Sequence, residues 1–332
     1  MRVPHIDIFK GLLIILVVWG HICYVITLST GIELSSIVWK IVSNIADNWI
    51  APYYMGAFFL VTGICSSFKR TFKEQLTIDF KRLIVPAICI PFIMCLFQKN
   101  PIEFFLKVSD NLFQGKIPWF LASMFLARAT YKMIICTINN EICRSCLFVL
   151  ISVVGCWMLN NYSEYNVLWI FHAFSFVIYV YIGNTMRNDF KVSGKALLLS
   201  ICLYVGIELI ISKLSISSPA LCEIITFRTW MWPVYITLTL SGSYVLFFLS
   251  KKIKQNSVLQ YIGRNSLVIY LTHITFIRLL SYIIKDYIEK YSSAPYGSII
   301  IVASMLTGGV LWGLLWAHIF KIRYLRWIVG EY

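Results

Sequence analysis

Near the start of the chain stand an aspartate, a lysine and a histidine whose spacing suits chemistry: Asp7, Lys10 and His21. On a helix of about 3.6 residues per turn, Lys10 and His21 lie about three turns apart on nearly the same stripe. Asp7, Ile14 and Val17 or Val18 fill in that stripe. The segment from Gly11 to Leu28 is almost wholly apolar and long enough to cross a bilayer. An ionisable side chain inside a membrane is costly to keep, so its default reading is functional. An imidazole at that depth offers a general base or a nucleophile. The plainer alternative is an interhelical hydrogen bond that packs the bundle.

Other polar groups fall in apolar runs. His273, in Ile269-Tyr-Leu-Thr-His273, is expected at a depth similar to that of His21, and Glu208 at a comparable one. For His273 function and packing stand equal, and Glu208 reads as structural or as a substrate contact. His172 and His318 fall near the ends of their runs and are expected to reach water or headgroups. The basic residues Lys69, Arg70, Lys73, Lys81 and Arg82 cluster in one connection. Such a cluster holds topology and attracts anionic headgroups, or it clamps phosphate, with Arg as a planar fork and Lys as a mobile charge. Trp119, in Pro118-Trp-Phe-Leu121, and Trp169 read as interfacial anchors, with sugar stacking as the second role. Gly309 and Gly313 suit close helix packing within the chain. Cys143 and Cys146 form a lone C-x-x-C in an expected loop, without the further ligands a zinc or redox site needs, so no metal is expected. No P-loop or dinucleotide fingerprint occurs, which argues against ATP use.

The elements that position these groups follow from composition. Of 332 residues 59% are hydrophobic and 13% charged, against roughly one-quarter charged in soluble domains. The chain therefore reads as an all-α, polytopic membrane helix bundle, one membrane domain over residues 1–332 without internal repeat. The first apolar run lacks a cleavage pattern and is expected to stay as the first membrane helix. About ten spans are expected, near 8–28, 48–67, 83–98, 118–137, 145–160, 167–184, 195–212, 229–249, 261–284 and 297–319. With both termini cytoplasmic, about 20 of the 29 basic residues fall on the inner side, among them Arg2, Lys191, Lys254 and Arg264, as the positive-inside rule requires. The net charge of +14 thus reflects membrane orientation rather than nucleic-acid binding. Ser36 to Ala46, with Ile37, Ile41 and Ile45 at helical spacing, and Pro101 to Phe113 are expected as helices on the outer surface.

Several blocks in order carry a family resemblance. They are Asp7-Ile-Phe-Lys-Gly11 with Val17-Val-Trp-Gly-His21, Tyr54-Met-Gly-Ala-Phe-Phe-Leu-Val-Thr-Gly63, Lys81-Arg-Leu-Ile-Val-Pro86, Pro118-Trp-Phe-Leu121, and Ile262-Gly-Arg-Asn-Ser-Leu-Val-Ile-Tyr-Leu-Thr-His273. Over nearly its full length the chain resembles the acyltransferase-3 family of integral-membrane acyltransferases. Lys10 stands where many members have Arg, and Tyr54 and Gly56 replace the histidine and proline of the second block. Lys-Gly at this place looks more like the fucose 4-O-acetylase-like subgroup.

The resemblance implies acetyl-CoA or another acyl-CoA as a donor from the cytoplasmic side. It also implies a hydroxyl of a cell-envelope glycan, or its lipid-linked precursor, as acceptor. His21 would then be general base or acyl carrier, with Asp7 pairing a basic residue or orienting a catalytic partner. Lys10, Lys69, Arg70, Lys81 and Arg82 would meet the donor's phosphates. His273, Trp119 and Glu208 would face the acceptor. The bilayer, here the inner membrane, and polysaccharide-assembly proteins are the partners so implied. The competing classes are a polysaccharide exporter or flippase and a scaffold, neither of which needs acyl transfer.

Overall fold

The computed structural model describes residues 3–32, 34–113, 118–187, 192–213, 229–253 and 255–330, and every regular element among them is helical. Eight helical stretches are long and apolar enough to cross a membrane: Pro4–Thr30, Trp119–Thr137, Glu141–Tyr165, Val167–Thr185, Gly194–Lys213, Thr229–Lys252, Ser266–Ile283 and Pro295–Ile319. The polytopic helical bundle expected from composition is therefore present. The expected spans near 48–67 and 83–98 fall on shorter α-helices, α3 (Ala51–Cys65) and α5 (Val85–Cys95). Each is entered through a π-helical segment, Ile45–Ile50 and Phe80–Ile84 respectively. Within α5, Pro91 has no amide hydrogen to give the preceding turn. Arg2, Lys191 and Lys254 lie outside the described residues.

Contacts divide the chain into two compact units. The first comprises Met1–Ala51, Cys89–Ser109 and Leu249–Ile328. Its centre is α1 (Pro4–Thr30), which starts with proline in the first turn, where no amide partner is needed. Asp7 sits in that turn, where a carboxylate favours the helix dipole. The helix stops at Gly31, whose φ of 72° lets its N–H close onto the Thr27 carbonyl. Ile14, Val17, Val18, Ile22, Val25 and Ile26 form the buried stripe of α1. It packs on α12 (Ser257–Arg264), α13 (Ser266–Ile283) and α15 (Pro295–Ile319).

The single span expected near 261–284 is broken between α12 and α13 at Asn265. That side chain donates to the Tyr261 carbonyl at 2.7 Å, competing with the helical pattern. Where α1 meets α12, Gly11 and Gly263 face one another so closely that a Cβ on either would run into the opposing backbone. Gly309 and Gly313 do pack within the chain: a Cβ on Gly313 would lie 2.7 Å from Ile269 Cα, and one on Gly309 3.2 Å from Val18.

In the same unit α2 (Ile37–Asn44) forms as expected, but Trp39 and Val42 are its buried residues while Ile37 and Ile41 are exposed. Trp39 Nε1 donates to the Ser292 carbonyl at 3.1 Å, and Trp19 Nε1 to that of Val42 at 3.3 Å. The isoleucine stripe is thus the outward face, available to lipid. The helix α6 (Pro101–Phe113) forms over the expected range.

The second unit comprises Pro52–Ile88, Asp110–Phe248 and Val329–Tyr332. Here α7 (Trp119–Thr137) and α8 (Glu141–Tyr162) both pack on α9 (Ile170–Thr185). Cys143 and Cys146, expected in a loop, lie instead in the first two turns of α8, because Asn140 caps that helix by accepting from the Cys143 N–H at 3.0 Å. Both thiols are exposed. The helix α10 (Gly194–Lys213) buries only Tyr204, Glu208 and Ile211.

Candidate functional site

Four of the residues singled out above, Asp7, Lys10, His21 and His273, meet partners in the first unit. Asp7 is buried and binds two cations: Lys10 Nζ lies 2.9 Å from Oδ1, and Arg264 Nε lies 3.1 Å from Oδ2. Arg264 also donates to Gln260 Oε1 at 3.1 Å. This clasp exists because Gly11 and Gly263 let the two backbones touch, and because the break at Asn265 leaves Arg264 at the end of α12. Reading residues along the chain assigned Arg264 only to the count of inward cations. Its partner is 257 positions away, and no local signal joins the two.

Deeper along α1, His21 meets His273 of α13. Their ring centroids are 5.0 Å apart and the planes cross at 71°. His21 Nδ1 lies 2.8 Å from the Val17 carbonyl, and His273 Nδ1 lies 3.0 Å from the Ile269 carbonyl. A carbonyl oxygen can only accept, so each ring carries its hydrogen on Nδ1 and leaves the Nε2 lone pair available. His273 is fully buried, and its Nε2 has no hydrogen-bond partner among the described residues. In their neutral form the two imidazoles, with hydrogen on Nδ1 and a lone pair on Nε2, can accept protons or act as nucleophiles. The expected equality of depth between His21 and His273 is realised as direct contact.

The remaining expected site residues belong to the second unit. Lys69, Arg70, Lys81 and Arg82 are all exposed. The first two ride on the connection before α4 (Phe72–Asp79), and a buried polar network fixes that connection. Arg128 makes a two-pronged pair with Asp79, Nε to Oδ2 at 2.9 Å and Nη2 to Oδ1 at 2.8 Å, and also donates to Ser66 Oγ. Gln75 Nε2 donates to Asp79 Oδ2 at 2.9 Å, and Lys132 Nζ donates to the Phe68 carbonyl at 2.8 Å. Phe68 has a φ of 46°, a left-handed conformation costly for a side chain without such fixing. Thr71 then caps α4 through a reciprocal box with Glu74. Among the described residues no carboxylate pairs with Lys69, Arg70 or Arg82, which suits them to phosphate.

Trp119 lies with its ring 5.2 Å from that of His172, and Trp169 lies 5.3 Å from the same imidazole. His172, expected to reach water or headgroups, is instead buried, enclosed by these indoles and bonded through Nδ1 to the Asn166 side chain at 2.7 Å. His318 is exposed. Glu208 is buried one turn after Tyr204, and its Oε1 has no hydrogen-bond partner among the described residues.

Residues 3–317 match the model of the acyltransferase-3 family, described as an acyltransferase domain, and the chain belongs to that family. It is a multi-pass membrane acyltransferase. No curated protein and no solved structure matches the chain.

Proposed function

We propose that this acyltransferase moves an acyl group, acetyl in the first instance, from cytoplasmic acyl-CoA to a hydroxyl of a cell-envelope glycan or its lipid-linked precursor. The observation that carries the reading is the His21–His273 pair, with both Nδ1 hydrogens tied to backbone carbonyls. His21 Nε2 takes the proton of the acceptor hydroxyl while its oxygen attacks the thioester carbonyl. The C–S bond breaks, and the same imidazole returns the proton to the departing thiolate. His273 lies beside this exchange, in ring contact with His21. In the acyl-carrier variant His21 Nε2 attacks the thioester itself and the C–S bond breaks to release the thiolate; the acceptor oxygen then displaces the imidazole, and the hydroxyl's proton ends on the thiolate.

Supporting the donor side are the cations Lys69, Arg70, Lys81 and Arg82, on a connection that the Asp79–Arg128 network holds in one shape. Asp7 keeps Lys10 and Arg264 together at the entrance of α1 and so acts as a positioning residue rather than a reacting one. Trp119 and Glu208 are assigned to the acceptor; the ring of Trp119 lies against His172, and Glu208 is buried one turn after Tyr204. In this reading the chain lies in the inner membrane with both termini cytoplasmic.

The test is label transfer by the purified protein in lipid nanodiscs, with radiolabelled acetyl-CoA and a panel of envelope glycans. Labelled glycan from wild type, absent with a well-folded His21→Ala variant, supports the reading. Glycan translocation without labelling would replace it with an exporter.

A further inference from the structure

The end of α1 remote from Asp7 opens into a pocket of about 260 Å³, formed wholly within the first unit. Ser29 comes from α1, Lys99 and Lys107 flank the start of α6 or lie on it, and Arg278 and Tyr282 come from α13. Three cations therefore face one carboxylate, Glu103, and that carboxylate already accepts from Asn100 Nδ2 at 3.0 Å. Among the described residues no acid pairs with Lys99, Lys107 or Arg278.

Two of the cations are steadied by aromatic faces instead. Arg278 lies 5.2 Å from the Phe104 ring centre, and Lys99 lies 5.3 Å from that of Tyr282. A cation–π contact fixes a charge without consuming its N–H donors. Ser29 also lines the pocket, and its Oγ is buried with no hydrogen-bond partner among the described residues; an unmatched polar atom loses free energy unless a ligand supplies the bond. The pocket thus has a surplus of positive charge, spare donors, an orphan hydroxyl and room for one sugar-sized group.

Its position gives it a purpose. Ser29 follows His21 by eight residues, about 12 Å along the helix axis, and Arg278 follows His273 by five residues, about 7.5 Å. The same two helices that bring the imidazoles together therefore carry the pocket just beyond them.

We propose that this pocket recognises an anionic group, a carboxylate or a phosphate, borne by the acyl acceptor, so that the substrate class is an acidic or phosphorylated glycan. The inference rests on the acyl-transfer reading and names its acceptor. Arg278 presents the planar fork that grips either oxyanion, the two lysines add rim charge, and Ser29 takes up a remaining oxygen.

The experiment pairs label transfer to methyl glucuronide, glucose 1-phosphate and methyl glucoside with thermophoretic binding of the same probes, in nanodiscs of phosphatidylcholine alone or with phosphatidylglycerol. For wild type the acidic probes are expected to bind and react in preference to the neutral one in both lipids. In Arg278→Gln the ratio of kcat/KM for acidic over neutral probe should fall about tenfold or more, the worth of a charge-assisted bond. Lys99→Gln with Lys107→Gln, both on the exposed rim, should lower the same ratio through KM while leaving melting unchanged, which guards against misfolding of the first variant. Label transfer without preference for the acidic probes overturns the pocket's role and leaves the enzyme standing. Loss of the acidic preference once phosphatidylglycerol is present assigns the pocket to lipid headgroups and likewise overturns it. No transfer to any acceptor by wild type removes the proposed acylation of a glycan hydroxyl and this inference together.

Discussion

The imidazoles of His21 and His273 meet edge to face, and each ring is anchored through Nδ1 to the carbonyl four residues earlier on its own helix. The anchoring puts a hydrogen on Nδ1 of both rings and leaves Nε2 as the atom for the proposed chemistry. Replacing His21 by Ala should lower kcat by about 10²–10⁴-fold, the usual worth of a positioned general base. If the rings act as one unit, the double variant with His273→Ala should be no slower than the slower single variant. Single-turnover label transfer measures all three, and additive losses would mean that the two histidines serve separate steps.

The Asp7 clasp predicts coupling with a modest size. Arg264 is 44% exposed, so solvent screens much of its attraction to Asp7. A double-mutant cycle of Asp7→Ala and Arg264→Ala, read from melting in detergent, should give about 0.5–1 kcal/mol. Asp7→Ala alone should cost more than Lys10→Ala, because it strands two cations rather than one carboxylate already held by Arg264.

Close approach of α1 and α12 makes Gly263 intolerant of any side chain. Gly263→Ala forces the helices apart against the Asp7 carbonyl, and overpacking of this kind costs about 1–3 kcal/mol. The expected result is a lower melting temperature together with loss of the Asp7–Arg264 coupling. Gly194→Ala, where nothing lies within 4 Å of the added carbon, is the matched control.

Asp79 and Arg128 predict an asymmetry between single and paired removal. Arg128→Ala leaves a buried carboxylate facing Gln75 alone, and breaking such a pair costs about 3–5 kcal/mol. Asp79→Leu combined with Arg128→Met should recover much of that loss in thermal melts. If the network holds the basic connection for the donor, the repaired protein should still show a raised KM for acetyl-CoA.

Membrane topology separates the two span counts. If α3 and α5 cross with their π-helical entries, Lys69 is on the same side as the N-terminus. If only the eight long helical stretches cross, it is on the opposite side. A Lys69→Cys substitution in a background with the exposed native cysteines replaced by serine, probed with an impermeant maleimide on intact cells and on inverted vesicles, decides this. Labelling from outside intact cells would remove the ten-span arrangement.

What could be read from the chain alone was whatever is locally expensive. His21 was legible because an imidazole in an apolar run needs a reason, and α1 because nothing interrupts its hydrophobicity. The packing role of Gly309 and Gly313 was legible from their spacing of one helical turn. Tertiary partnership was not. Arg264 looked like any topological cation until Asp7 was set beside it, and Arg278 and Ser29 draw meaning only from the pocket they share. The buried side of α2 was equally hidden, since a sequence weighs Ile37 and Ile41 as apolar without telling protein from lipid. His172 was misjudged for a related reason, because nearness to a helix end says nothing about the indoles that close over it. The break at Asn265 was missed because an asparagine inside an apolar stretch does not announce which carbonyl its amide will take.

The ladder of contacts between α1 and the α12–α13 pair has one further implication. Asp7 meets Arg264, His21 meets His273, and Ser29 shares a pocket with Arg278, so matching rungs climb both strands of the ladder in the same order. Inserting a single residue between Lys10 and His21 would swing everything beyond it by about 100° around the axis. The lower rung would survive intact while the imidazole rotated away toward the surroundings. The spacing between Asp7 and Ser29 on α1 thereby acts as a gauge matched to that between Arg264 and Arg278 on the facing helices.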